Sequence, residues 1–161
     1  MEDEYQRGAL VDTTKDFLTD FLKKIYPKII LSLDTRKSQV MKKGIEDGVD
    51  IINDVSGLEF DKKSFDIINS KKIPFILHHM QGTPNTMQKN PKYKNVLLDI
   101  FDFFENNTKK KLNDEKIILD PGIGFGKTLK HNLTLISKIS LFHSLGSVSY
   151  THLTLPTILL L

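Results

Sequence analysis

The stretch KIILDPGIGFGK, residues 116–127, decides how this chain is read. Ile117, Ile118 and Leu119 are apolar without alternation, and they end on an acid, Asp120, before a Pro-Gly turn. A short run of this kind, apolar on consecutive residues, suits a parallel strand covered on both faces. Working outward, three more runs end the same way: IILSLDT (29–35), DIINDV (50–55) and IPFILHHMQG (73–82). A helical pattern follows each, as crossover connections between parallel strands require. In such folds the loops at the carboxyl ends of the strands build the ligand site. Asp34, Asn53, His79 and Asp120 all fall at or near that end.

The spacing predicts strands over about 28–33, 51–55, 74–79 and 116–119. Helices are predicted over about 16–25, 38–46 and 62–70. Gly48 is placed to end the second of these, and Ser56-Gly57 to turn the chain after the second strand. The clearest helical period is Leu97, Ile100, Phe101 and Phe104. A last helix is expected to use Leu135, Ile136, Ile139 and Phe142 as one apolar stripe. Between the third strand and the helix of Leu97, residues 82–92 form a long polar loop, a kind often functional. There is no sign of a second domain.

The net charge is +3, from 23 basic and 20 acidic residues that are well mixed, which argues against a dedicated nucleic-acid surface. The densest basic cluster, Lys109-Lys110-Lys111, falls late in a helix, where cations suit the dipole. With no cysteine there are neither disulfides nor thiolate metal sites, and the expected setting is the reducing cytoplasm. The start, MEDEY, lacks the apolar core of a secretory signal, and no stretch approaches a membrane span. No membrane partner is expected.

Two nucleotide motifs fail on spacing. A P-loop needs four residues between its first Gly and the Gly-Lys pair, whereas Gly122 and Gly126 are separated by three. The dinucleotide fingerprint would put its third Gly where Lys127 stands. The glycines still allow positive φ or close approach of the backbone to a flat ligand. His78 and His79 cannot chelate a common ion, because consecutive strand residues point to opposite faces. A structural histidine at a strand end is the expectation there.

HMQGTPNTMQ (79–88), NPKY (90–93) and DPGIGFGKTLKHN (120–132) closely resemble the dihydropteroate synthase family. SLDTRK (32–37) and IINDVSG (51–57) fit the same family in the same order, so the resemblance covers about residues 28–146. It implies a partial TIM (β/α)8 barrel of about four consecutive β/α units, strands 3–6 of eight; a whole barrel needs roughly 250 residues. It also implies a transferase of folate biosynthesis. That enzyme joins 6-hydroxymethyl-7,8-dihydropterin diphosphate to 4-aminobenzoate, giving 7,8-dihydropteroate and pyrophosphate, with Mg2+ assisting the leaving diphosphate. By motif match Asp34, Asn53 and Asp120 hold the pterin edge, Met80 and Phe125 flank the ring, and Asp34 and Asp120 are the catalytic pair. Asp54, of opposite strand parity to Asn53, should point out of the barrel. Asp34 as a mere helix cap is the plainer alternative.

The sequence departs from the family in places. His78 stands where the family usually has an apolar residue. The family's magnesium-site Asn and mobile loop have no counterpart before Lys28, and its basic diphosphate-binding residues have none after the DPG strand. The fragment alone is therefore expected to be inactive, and the full-length enzyme to be a homodimer. Alternatives are the pterin-binding domain of a folate–corrinoid methyltransferase, which suits the 79–88 loop less well, and a non-catalytic α/β domain.

The expected layout is a polar segment and helix over 1–27, the barrel domain over 28–146, and a tail over 147–161. The tail, SVSYTHLTLPTILLL, carries no charge, and VSYTHLTLPT (148–157) looks like a translated transposase adapter from sequencing-library preparation; a genuine fifth strand is the plainer alternative. We expect the genomic sequence to depart from the tail after Gly146. Resequencing the locus with a different library chemistry checks this; a reading that runs on through VSYTHLTLPT refutes it.

Overall fold

A computed structural model describes residues 19–111, 116–145 and 148–149. A helix, α1, occupies residues 19–25. Then follow β1 (Ser32–Asp34), α2 (Ser38–Glu46), β2 (Ile51–Asp54), α3 (Lys63–Lys71), β3 (Phe75–His78), α4 (Val96–Lys111), β4 (Ile117–Asp120), α5 (Leu129–Ser137), a 3-10 turn (Ile139–Leu145) and β5 (Val148–Ser149). The sheet runs β1-β2-β3-β4-β5 with every pairing parallel. Consecutive parallel order with a helix after each of the first four strands is an arc of a (β/α)8 barrel.

Register decides which side chains share a face. Leu33, Ile52, Phe75 and Ile117 align across four strands, and Asp54, Leu77 and Leu119 align two residues further on. Ile52, Leu77 and Leu119 are fully buried, and they pack with Met41 of α2, Ile68 of α3, Ile100 and Phe104 of α4 and Leu135 of α5. That is the helix-covered side. Burying a side chain such as Phe75 contributes about 1.5–3 kcal/mol. The other face carries Asp34, Asn53, Ile76 and Ile118 in one row, and His78 with Asp120 in the next.

The helix ends follow local chemistry. Nothing on Lys37 caps α2; the Ser38 N–H instead donates to Asp61 Oδ2 at 2.9 Å. The contact ties the loop after β2 to the start of α2, and hydrogen bonding from the Ser38 side chain, then from its N–H, holds the Asp61 carboxyl below its ordinary pKa. Asn95 Oδ1 accepts from the Leu97 and Leu98 N–H groups to start α4. Thr128 and His131 exchange side-chain and backbone bonds in a capping box at α5.

Three differences from the sequence expectations have physical causes. β1 starts at Ser32 instead of near Lys28, because Asp50 Oδ2 takes the Leu31 N–H at 2.8 Å and replaces a ladder bond. The last helix breaks at Lys138, whose φ of −126° is not helical. Thr134 and Ser137 turn their hydroxyls back on the carbonyls of Lys130 and Thr134, which bends a helix. Leu135 and Phe142 are buried as expected, while Ile136 is 44% exposed. Finally, Val148 and Ser149 pair with β4, where the sequence favoured a foreign tail and offered a fifth strand only as the alternative. The unsatisfied N–H and C=O groups along an edge strand offer such a place to any extended segment. Residues 1–18 and 150–161 lie outside the described residues.

Gly122 has φ +66°, and a Cβ there would lie 2.0 Å from the His79 carbonyl oxygen. Gly48, at φ +88°, has open space around its missing Cβ. Gly48→Ala should therefore cost only the left-handed strain, about 1–2 kcal/mol. Gly122→Ala adds an overlap with backbone and should cost at least about 2 kcal/mol more than Gly48→Ala. Urea denaturation checks the order: both midpoints fall, that of Gly122→Ala further, with the slope unchanged.

Candidate functional site

The site face ends, at the carboxyl side of the strands, in Asp34, Asn53, His78 and Asp120. Asp34 and Asn53 are cross-strand partners on β1 and β2. Neighbouring strands lie about 4.8 Å apart, so their side chains can address one ligand edge. Asp34 is exposed at the rim, whereas Asn53 and Asp120 are 6% and 2% exposed. The carboxamide oxygen of Asn53 is buried and accepts no hydrogen bond. Such an acceptor costs about 1–3 kcal/mol, which a donor brought by a ligand would offset.

Asp120 is held by its own turn: the Gly122 N–H donates to its Oδ1 at 2.8 Å. Its carbonyl accepts from the His79 N–H at 2.9 Å, so the ladder between β3 and β4 runs one step past the strands. Gly122, Gly124 and Gly126 all have positive φ, as the sequence allowed. Their close approach is to protein: a Cβ on Gly122 would meet the His79 carbonyl, and one on Gly126 the Gln81 carbonyl at 2.7 Å. The glycine-rich loop thus lies directly on the end of β3.

Met80 and Phe125 are both half-buried, one on each of these two segments. The Phe125 ring meets His78 edge-on, with centroids 4.6 Å apart. His78 therefore belongs to the site face, with Nδ1 3.1 Å from the Val55 carbonyl oxygen. His79 points to the helix side, edge-on to Phe103 of α4 at 5.0 Å. The two rings are divided between the faces, as strand parity required.

The loop between β3 and α4 closes on itself. Gln81 donates through Nε2 to the Lys92 carbonyl at 2.7 Å and accepts the Lys92 N–H through Oε1 at 2.9 Å. Gln88 donates to the Gly124 carbonyl, and the Tyr93 hydroxyl to the Gly126 carbonyl at 2.8 Å. Burial, reinforced by the Asp99 charge, raises the Tyr93 phenol well above its ordinary range, so it stays a donor. These ties were not read from the sequence. Tyr93, the lone aromatic residue between Gly82 and Asn95, was the available signal.

Lys127 was also missed as a site residue once its nucleotide motif had failed. It is 3% exposed. Its Nζ lies 2.8 Å from the Phe125 carbonyl oxygen, 3.3 Å from the His79 carbonyl oxygen and 3.1 Å from His79 Nδ1. Burial lowers its pKa to about 7, against a counter-pull from Asp120. Burial, with the charge of Lys127 beside it, lowers His79 to about 2.

Asp54 is a contrast. It is fully buried on the helix side, and its Oδ1 accepts from the Ser56 N–H at 2.8 Å and the Ser56 hydroxyl at 2.6 Å. Burial raises its pKa despite those bonds. It serves the turn after β2 and does not face the site, as its parity predicted.

Acids and an amide at the carboxyl ends of parallel strands, with helices on the opposite face, define an arc of an α/β barrel whose polar groups stand where such barrels build their ligand sites. The chain belongs to the pterin binding enzyme family, which it matches over residues 13–156, a span that includes part of the tail. It is 35% identical over 120 residues to the dihydropteroate synthase of Haemophilus influenzae, covering 72% of this chain and 43% of that protein. The Yersinia pestis dihydropteroate synthase, solved as a sulfonamide drug complex, superposes with a TM-score of 0.79 at 30% identity, over 84% of this chain and 50% of that one. The Thermus thermophilus enzyme in complex with 6HMPPP gives 0.72 at 29% identity, over 79% and 51%. The same enzyme with 4-aminobenzoate gives 0.72 at 28% identity, over 79% and 50%. The chain thus spans less than half the length of the curated relatives it matches.

The histidine environment predicts an acid limb of stability. Unfolded, the His79 ring takes a proton near pH 6.5; folded, it resists protonation down to about 2. The unfolded state binds more protons across that window. This contribution is therefore full above about pH 6.5 and is lost as pH falls towards 2. His79→Asn keeps an acceptor for Lys127 and removes the titration. Urea denaturation between pH 4 and 8 should show a shallower loss of stability in that variant than in the wild type.

Proposed function

We propose that this chain is the pterin-holding part of a dihydropteroate synthase. The reaction is the condensation of 6-hydroxymethyl-7,8-dihydropterin diphosphate with 4-aminobenzoate. The observation that carries the reading is the single polar face of Asp34, Asn53 and Asp120, on the side of the sheet opposite the helices, with a buried Asn53 carbonyl accepting nothing. A pterin edge presents amino and ring N–H donors with acceptors alongside. Carboxylates accept from the donors, and a carboxamide both donates and accepts.

In the reaction the 4-aminobenzoate nitrogen bonds to the exocyclic methylene carbon as the bond from that carbon to diphosphate oxygen breaks. The amine loses a proton, and pyrophosphate leaves with the bonding pair. Positive charge spreads into the ring as the bond breaks, and the fixed carboxylates of Asp34 and Asp120 stabilise it. Met80 and Phe125 supply apolar surface to the ring.

The resemblance also brings magnesium to the departing diphosphate. Among the described residues no group of three or more His, Asp or Glu side chains could hold a metal ion. The described residues thus form no metal cage of their own, and no step assigned to them runs through the metal. A homodimeric full-length enzyme is part of the same proposal and rests on the resemblance. So does a cytoplasmic setting, which a chain without cysteine fits. No helix among the described residues is long and apolar enough to cross a membrane.

Calorimetric titration with 6-hydroxymethylpterin tests the site. Asp120→Asn keeps the acceptor that holds Gly122 but turns an acceptor-only group into a mixed one. It should weaken binding at least about tenfold, an unpaired buried polar group costing about 1–3 kcal/mol. Asp54→Asn, on the helix side, should change affinity less than about twofold, and relief of a buried carboxylate should leave stability equal or higher. Equal losses, or a larger one at Asp54, overturn the assignment.

A further inference from the structure

Lys127 has no part in the reading above, yet it is among the most deeply buried charged side chains described. Its position is specific. The Phe125 carbonyl, the His79 carbonyl and His79 Nδ1 surround one nitrogen at 2.8, 3.3 and 3.1 Å. An ammonium has three N–H donors, and here it meets three acceptors. His79 stays neutral because of its burial, so its Nδ1 can accept while the ring proton sits on Nε2. One carbonyl belongs to the residue before Met80, and the other to Phe125 itself. A single side chain therefore ties together the main chain at both residues assigned to the ring faces.

We propose that Lys127 is the positioning residue of the ligand pocket: its buried ammonium holds the glycine-rich loop to the end of β3 and so sets Met80 relative to Phe125. The identity of the ring rests on the pterin reading; the clamp itself does not. Other side-chain hydrogen bonds between the segments come from Gln88 and Tyr93, beside the ladder bond from the His79 N–H to the Asp120 carbonyl and the ring contact of His78 with Phe125. Among the described residues, Lys127 is the side chain that bonds main-chain carbonyls of both segments. The groups facing it are Asp120 from β4, which favours its charge, and the neutral His79 from the end of β3, with His78 and Tyr93 beyond them. A pKa near 7 means that a modest rise in pH leaves two N–H donors for three acceptors.

The test uses the full chain in three forms: wild type, Lys127→Met and Lys127→Cys. The chain has no other cysteine, so alkylation of that variant with 2-bromoethylamine places an ammonium on a side chain of nearly the original length. Hydrogen–deuterium exchange reads the backbone at residues 80–92 and 121–127, and calorimetry reads 6-hydroxymethylpterin affinity from pH 6 to 8.5. Lys127→Met should exchange at least tenfold faster in both segments, with α2 and α3 unchanged, and should bind at least tenfold more weakly at pH 6. The affinity gap from wild type should narrow as pH rises through 7, the ligand's own ionisation being common to both proteins. Aminoethylation of Lys127→Cys should restore slow exchange and affinity, whereas alkylation with iodoacetamide should not. If Lys127→Met does not fold, the two alkylated forms of Lys127→Cys decide alone. Identical exchange in those two forms, or in Lys127→Met and wild type, overturns the clamp. A wild type that binds no pterin, with the exchange differences intact, overturns the pterin reading and leaves the clamp standing.

Discussion

The alternation of side chains along parallel strands is the constraint from which the rest of this structure follows. Ile52, Leu77 and Leu119 face the helices, so Asn53, His78 and Asp120 must face the other way. A slip of one residue would drive those polar groups under α3, α4 and α5, where an unpaired charge is costly. Asp54 shows what an acid on the helix side requires. Two hydrogen bonds from Ser56 hold it, and burial still raises its pKa. The apolar core and the polar face are thus one specification, written twice in each strand.

Much of this was legible in the sequence because it depends on period alone. α2 was expected over Ser38–Glu46 and found there, since Val40, Met41, Gly44 and Ile45 leave little choice of face. The parity of Asn53 against Asp54 needed only the fact of a strand. The start of β1 was not legible, because one carboxylate from Asp50, in the next unit, takes a ladder position. The split of the last helix turns on hydroxyl groups that bond back within their own turn, a choice that apolar spacing does not register.

At the site, pattern grouped the residues on strands, whereas the bonds between loops left no pattern to read. Asp34, Asn53 and Asp120 share a face because the ladder aligns them. His78 was expected to be structural, and its ring lies on the site face, where it meets the Val55 carbonyl and the edge of Phe125. Lys127 entered the sequence reading only through nucleotide motifs that failed, and the packing of two loops is what buries it. Contacts between segments about 36 to 48 residues apart leave no local trace. Glycine was the partial exception. Its freedom at Gly122 was visible, but its neighbour proved to be the His79 carbonyl and not a ligand.

The two loops are joined mostly through backbone atoms: the carbonyls of His79, Gly124, Phe125 and Gly126 receive the bonds, from Lys127, Gln88 and Tyr93. A frame of this kind separates what must be inherited from what is free to drift. Carbonyl groups survive nearly any substitution, so the shape of the frame depends on its three donors, on the Gln81 side chain that closes the loop and on the glycines beneath them. Positions such as Pro84, Asn85 and Lys89 can change from lineage to lineage while the frame stays put. Natural variation in how the pocket's rim meets small molecules would then accumulate there first, without passing through a misfolded ancestor.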